Sequence, residues 1–140
     1  MLSFKRDKRD SKMKVICHGI DLVDCKRIEK MLQEHEDRFV QRVFTEAEQE
    51  YSNLHRDRVE RLAGRFAVKE AVMKMLGTGW SEGTAWTEIE TINDPAGKPE
   101  VTLQGKIAEI AGEMGIDKIS VSITHTRELA IASAIALGEE

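Results

Sequence analysis

No apolar run in this chain approaches the roughly 20 residues that a membrane-spanning helix requires, so no membrane partner is expected. The N-terminal charges are not followed by an apolar stretch, which argues against a secretory signal. Only two cysteines occur, Cys17 and Cys25. They have neither C-x-x-C spacing nor further partners, so a disulfide framework is excluded and free thiols in a reducing cytoplasm are expected. An excess of positive charge is also missing: 21 Lys and Arg face 25 Asp and Glu, a net charge of −4. That balance argues against a general nucleic-acid binder. The four histidines do not form an H-E-x-x-H pair. His18 adjoins Cys17, but no four ligands assemble at zinc-site spacing. Neither a G-x-S-x-G elbow nor a G-x-x-x-x-G-K-[ST] phosphate loop is present. Internal repeats and low-complexity segments are absent as well.

What remains is a 140-residue chain, 41% hydrophobic, of a size for one compact α+β domain that can fold alone or assemble. "MLSFKRDKRDSKMK" carries six Lys and Arg against two Asp. Residues 1–13 are therefore expected to form a basic, disordered tail ahead of a domain spanning 14–140. "VICHGIDL" (15–22) reads as a short, mostly buried strand ending at Asp21. "DCKRIEKMLQEHE" reads as a helix capped by Asp24, with Ile28, Met31, Leu32 and His35 on one stripe. "TEAE" (45–48) and "DRVE" (57–60) have the form of capping boxes that open a short and a long helix. The long helix runs to Leu76, where Gly77 and Gly79 supply stop signals. "GTAWTEIETI" alternates like a strand, and "NDPAGKP" reads as a turn. Apolar residues at 103, 107, 110, 111 and 114 predict a helix closed by Gly115. "ISVSITHT" alternates, placing Ile119, Val121, Ile123 and His125 on one face. "LAIASAIAL" is ambiguous: its alanines favour helix, whereas its large residues at 129, 131, 135 and 137 alternate as in a strand.

Chemistry concentrates in "RFAVKEAVMKMLGTG" (65–79). At about 100° per residue, Leu62, Met73, Phe66, Val59, Glu70, Ala63, Lys74 and Ala67 follow one another round the helix. Glu70 and Lys74 thus fall inside the apolar arc. An exposed i,i+4 Glu–Lys pair is worth only about 0.2–0.5 kcal/mol, too little to offset the desolvation of buried charge. Either the edge of the arc borders a cleft or the carboxylate meets a cation. Arg65 and Lys69, one turn apart, form a second basic pair, which alone reads as a solvated face. Asp21 closes the first strand and is the natural complement of Glu70. Two hard oxygen ligands, completed by water and phosphate oxygens, make a magnesium site, and manganese fits the same donors. A lone aspartate in this position otherwise reads as a turn or capping residue, and His125 otherwise reads as a core histidine.

Taken together, "GIDLVDCKRI" (19–28), "FTEAE" (44–48), "RLAGRFAVKEAVMKMLGTG" (61–79), "NDPAGKPEV" (93–101) and "VSITHT" (121–126) resemble the holo-[acyl-carrier-protein] synthases, the small 4'-phosphopantetheinyl transferases. The likeness covers the chain from about Lys14 to Leu137 and leaves the basic tail without a counterpart. It implies the 4'-phosphopantetheinyl transferase fold, an antiparallel sheet with one long central helix. It implies coenzyme A as donor and an acyl carrier protein as acceptor, a carrier serine attacking the β-phosphorus and adenosine 3',5'-bisphosphate leaving. By resemblance Asp21 and Glu70 hold Mg2+ (or Mn2+) and Lys74 contacts the pyrophosphate, making these three the catalytic set. Glu70 or a water at Asp21 then takes the serine proton, and the sequence does not choose between them. Arg65, Lys69, His125 and Thr126 correspond to positions near the nucleotide and its 3'-phosphate, and Gly97, Lys98 and Pro99 to a loop near the adenine. Thr124 departs from the family, which more often has serine there. Lys26, Arg27 and Lys30 on the first helix are the implied docking face for the acidic carrier. Family members of this length are trimers with sites shared between protomers.

Two rival readings follow from the residues. "RLAGRF" (61–66) comes near the pyrophosphate turn of acyl-coenzyme A N-acetyltransferases, except that Phe66 replaces a small residue inside a helical period. A non-catalytic coenzyme A sensor on the same fold would not need Asp21, Glu70 and Lys74 together.

Overall fold

The computed structural model describes residues 12–81 and 83–139. Most of the basic tail, residues 1–11, lies outside the described residues. Strand β1 (Met13–Asp24) leads into helix α1 (Cys25–Val43), followed by α2 (Glu46–Asn53) and the long α3 (Arg58–Leu76). A single 3-10 turn (Trp86–Glu88) precedes the hairpin β2 (Ile89–Asn93) and β3 (Pro99–Leu103), then α4 (Gly105–Glu113), β4 (Lys118–His125) and β5 (Leu129–Glu139). One antiparallel sheet has the order β1-β5-β4, and β2 and β3 form a second, two-stranded sheet.

The ambiguous C-terminal segment is a strand. Ala130, Ala132, Ala134 and Ala136 are fully buried, and their small side chains let α3 lie close across the sheet. The large residues of β5 face the other way. Helix propensity yields here to a tertiary demand for small inward residues. β1 is held just as tightly. A Cβ at Gly19 would collide with the Ala71 carbonyl oxygen and the Met75 amide of α3. Only glycine permits that crossing.

Several expectations need correction. β1 is not mostly buried: Val15, Ile20 and Leu22 lie on its outer face, each about 60% exposed. Asp24 caps α1 as expected, accepting from the Lys26 amide at 2.9 Å. His35, however, leaves the apolar stripe, because a kink gives it non-helical dihedrals and an exposed position. The capping box at Thr45 and Glu48 is complete. The one at Asp57 is not, since its carboxylate turns instead to Arg61 Nε at 3.2 Å. The strand expected over 83–92 forms only from Ile89 on, after the 3-10 turn. The hairpin partner β3, hidden in the turn-rich "NDPAGKPEV", begins at Pro99. Leu103 ends that strand, and α4 starts at Gly105. There Glu88 from the 3-10 turn accepts the Lys106 and Ile107 amides at 3.3 and 3.2 Å. Arg61 to Phe66 lie wholly inside α3. The glycine of "RLAGRF" is therefore not at a strand-to-helix turn, and the acetyltransferase reading fails.

Candidate active site

The close crossing of β1 over α3 decides what lies beside Glu70 and Lys74. Asp21 stands two residues past Gly19, and Lys74 lies within the stretch that Gly19 touches. Lys74 Nζ donates to Asp21 Oδ1 at 2.7 Å and to the Ile20 carbonyl at 3.3 Å. The Lys74 side chain is 57% exposed and that of Asp21 only 12%. These charges are therefore not in the core. The arc opens at its edge, where β1 passes beside the helix instead of covering it. The hydrogen bond and charge of Asp21, with a smaller contribution from Glu70, hold the Lys74 ammonium above the usual lysine range. Glu70 is half-buried, and one of its oxygens accepts from the Trp80 indole N–H at 3.3 Å.

One carboxylate, Asp21, thus pairs with the ammonium at an open edge, and the charge of a second, Glu70, acts on it. Among the described residues no three His, Cys, Asp or Glu side chains converge as a metal cage. The donor set nevertheless fits a hard divalent cation that keeps waters and takes phosphate oxygens, which needs only one or two protein carboxylates. Asp21 already meets a cation here, the ammonium of Lys74.

A second set of residues gathers near the N-terminal half of α3. Glu60, Arg61, Gly64, Arg65, Asn93, Gly97, Pro99, Ile123 and His125 line a cleft of about 140 Å³. The Arg65 guanidinium lies 3.9 Å over the Tyr51 ring and donates to Asn93 Oδ1 at 2.6 Å. Its Nε, although buried, has no partner among the described residues. Asn93 Nδ2 in turn donates to the Gly97 carbonyl at 2.9 Å, which fastens the hairpin loop to the cleft. Gly97 has φ of 90°, a conformation that disfavours any other residue at this turn. Arg65, Gly97, Pro99 and His125 are therefore brought together as expected.

Lys69 is not with them. Its side chain is fully buried and pairs with Glu48 at 2.7 Å, so its ammonium points into the protein and not into the cleft. Burial pushes it below the usual lysine range, and Glu48 opposes that shift. Lys98 does not line the cleft either. Its side chain is exposed and borders the groove between β3 and β4, while its amide donates to Asp94 Oδ1. Thr126 uses its hydroxyl oxygen to accept the Glu128 and Leu129 amides of the β4–β5 turn. On α1, Lys26, Arg27 and Lys30 are all exposed, and the Arg27 guanidinium sits 5.4 Å from the Phe66 ring centroid. Reading the sequence missed Asn93 and Trp80. Asn93 was visible only as a turn former, and Trp80 lay in a segment with neither helical nor strand period.

The family model of the 4'-phosphopantetheinyl transferase superfamily matches residues 18–134. The holo-[acyl-carrier-protein] synthase of Caldanaerobacter subterraneus subsp. tengcongensis is 45% identical over 122 residues, covering 87% of this chain and 94% of the relative. That of Serratia proteamaculans is 44% identical, covering 90% of this chain and all of its own length. Among solved structures, the Plasmodium yoelii acyl carrier protein synthase with ADP bound superposes with a TM-score of 0.81 at 32% identity, covering 93% of this chain and 100% of its own. The Bacillus anthracis holo-(acyl-carrier-protein) synthase in complex with CoA (3',5'-ADP) gives a TM-score of 0.73 at 32% identity, covering 89% and 98%.

Proposed function

The chain belongs to the 4'-phosphopantetheinyl transferase superfamily, and from that premise we propose how its residues move the 4'-phosphopantetheine group of coenzyme A onto a serine of an apo acyl carrier protein. The observation that carries the reading is the Lys74–Asp21 pair where β1 crosses α3, with the Glu70 charge near enough to act on the same ammonium. The serine oxygen forms a bond to the β-phosphorus, the bond from that phosphorus to the bridging oxygen breaks, and adenosine 3',5'-bisphosphate carries away the electron pair. Such displacements are catalysed mainly by positioning and by neutralising oxygen charge. Lys74, kept protonated by Asp21, supplies one positive charge to the pyrophosphate. Asp21 and Glu70 are the residues that would hold Mg2+, or Mn2+, which when bound neutralises charge on the phosphate oxygens. Glu70, or a water held by Asp21, would take the serine proton. Arg65, Asn93, Gly97, Pro99 and His125, which line one cleft, take the nucleotide end.

A cleft of about 140 Å³ is well below the roughly 300–1,000 Å³ of ordinary ligand pockets. A neighbouring protomer is the natural source of the missing wall. The exposed apolar face of β1 and β5 supports a homotrimer that shares its sites between protomers. The free thiols Cys17 and Cys25 suit a reducing cytoplasm.

The test is intact-mass spectrometry on apo carrier protein incubated with enzyme, coenzyme A and Mg2+. A carrier heavier by one phosphopantetheine is expected, with the gain abolished by chelator and by Glu70→Ala. A carrier that a characterised transferase modifies but this protein leaves unchanged would overturn the reading in favour of a coenzyme A sensor.

A further inference from the structure

After α3 ends, the chain reverses through Gly77 and Gly79, whose φ values of 74° and 62° suit glycine alone. The reversal brings Trp80 back beside the helix it has just left. There its indole stacks on Trp86, centroids 3.8 Å apart and planes 27° from parallel. Trp86 in turn stacks on Phe66 of α3 at 5.1 Å and 22°. Phe66 is 5% exposed, so the base of this column is fixed in the core. The Trp86 carbonyl is fixed too, accepting from Lys69 Nζ at 3.1 Å. Phe66 and Glu70 are one helical turn apart. A column rising from Phe66 therefore ends level with Glu70, and the Trp80 N–H meets Glu70 Oε1 at 3.3 Å.

We propose that Trp80 is a positioning residue for Glu70. Its N–H engages one carboxylate oxygen and fixes the rotation of the carboxylate, so that the other oxygen is presented to the cation. Glu70 is half-buried on a helix edge, and without a partner its three side-chain torsions would be free to turn the carboxylate into solvent. An indole has one donor and no acceptor. It orients the carboxylate without competing for the cation, and the stack beneath limits where that donor can go. Partners of this kind orient ligands and tune their affinity for metal.

The inference rests on the proposed role of Glu70 in holding the cation, and the experiment separates the two. Trp80→Phe keeps an aromatic ring in the column and deletes the N–H with one ring of the indole. Calorimetric titration of Mg2+ into the coenzyme A complex should show affinity about tenfold weaker than wild type, near the lower end for a partner of a metal ligand. Coenzyme A affinity without metal and the melting temperature should be unchanged, and kcat at saturating Mg2+ should be largely restored. If Trp80→Phe binds Mg2+ like wild type while Glu70→Gln does not, Glu70 holds the cation without help and the inference falls alone. A normal Mg2+ affinity in Glu70→Gln would remove both it and the reading beneath it. Trp80→Ala is the structural control: weakened binding there, but not in Trp80→Phe, would assign the effect to the stack and overturn the role of the N–H.

Discussion

Lys69 and Glu70 are adjacent in the chain, yet α3 turns one inward and the other to the open edge. The three donors of the Lys69 ammonium go to Glu48 Oε1, the Trp86 carbonyl and the Ile89 carbonyl. Glu48 is satisfied as fully: Oε1 also accepts the Thr45 amide and Oε2 the Thr91 amide at 3.1 Å. This buried pair ties α2, α3 and the start of β2 together, and through Trp86 it anchors the column that ends at Glu70. Lys69→Met would leave a buried carboxylate without its counter-charge. We expect a loss of about 3–5 kcal/mol of stability, the range for breaking a buried pair on one side. The double variant Glu48→Gln, Lys69→Met should recover most of that loss, because neither partner is then left charged. Urea denaturation checks both. Coenzyme A affinity of the folded single variant should stay near wild type. Lost affinity with stability intact would return Lys69 to the nucleotide site.

At the scale of elements, the sequence revealed what is local and hid what depends on a distant partner. Asp24 and Thr45 cap their helices because each side chain reaches an amide two or three residues on. Glu70 and Lys74 stood out because charge interrupts an apolar arc. Lys69 was misread because its counter-charge, Glu48, comes from another helix. α4 starts where Glu88 supplies a carboxylate from outside the helix, which no capping pattern announces. β3 was missed because it is five residues long and opens with proline, a residue tolerated at the first position or on an edge. The basic face of α1, the expected docking surface, was legible as charge alone. Arg27 lies over Phe66, the base of the same aromatic column, so the basic face of α1 and Glu70 share a rigid neighbour. Arg27→Glu should raise the KM for carrier protein by about tenfold, as reversal of a steering charge slows encounter. The coenzyme A dissociation constant should not move. Equal damage to both would show that Arg27 supports the fold or the nucleotide site and not docking.

At the scale of the whole molecule, the outer face of the three-stranded sheet has no covering layer among the described residues. An antiparallel sheet with one face in water normally alternates apolar residues inward and polar residues outward. β4 obeys, with Lys118, Ser120, Ser122 and Thr124 opposite the outward positions of β5. β1 and β5 do not. Val15 is 59%, Ile20 61%, Leu22 59%, Leu129 39% and Ile135 39% exposed, and the register sets Leu22 beside Ile131 and Val15 beside Leu137. A patch of this kind is what the proposed self-association would use. It lies on the face of β1 opposite Asp21. Ile135→Asp puts one carboxylate per protomer into the contact without touching any residue of the site. Desolvating those charges should convert a sedimenting trimer into a monomer with an unchanged circular dichroism spectrum. Because the nucleotide cleft is small in one protomer, the monomer should also lose coenzyme A binding and transferase activity together. Wild-type protein that sediments as a monomer while active would refute the shared site. A monomeric variant that keeps full activity would limit the patch to assembly and leave each protomer a complete enzyme.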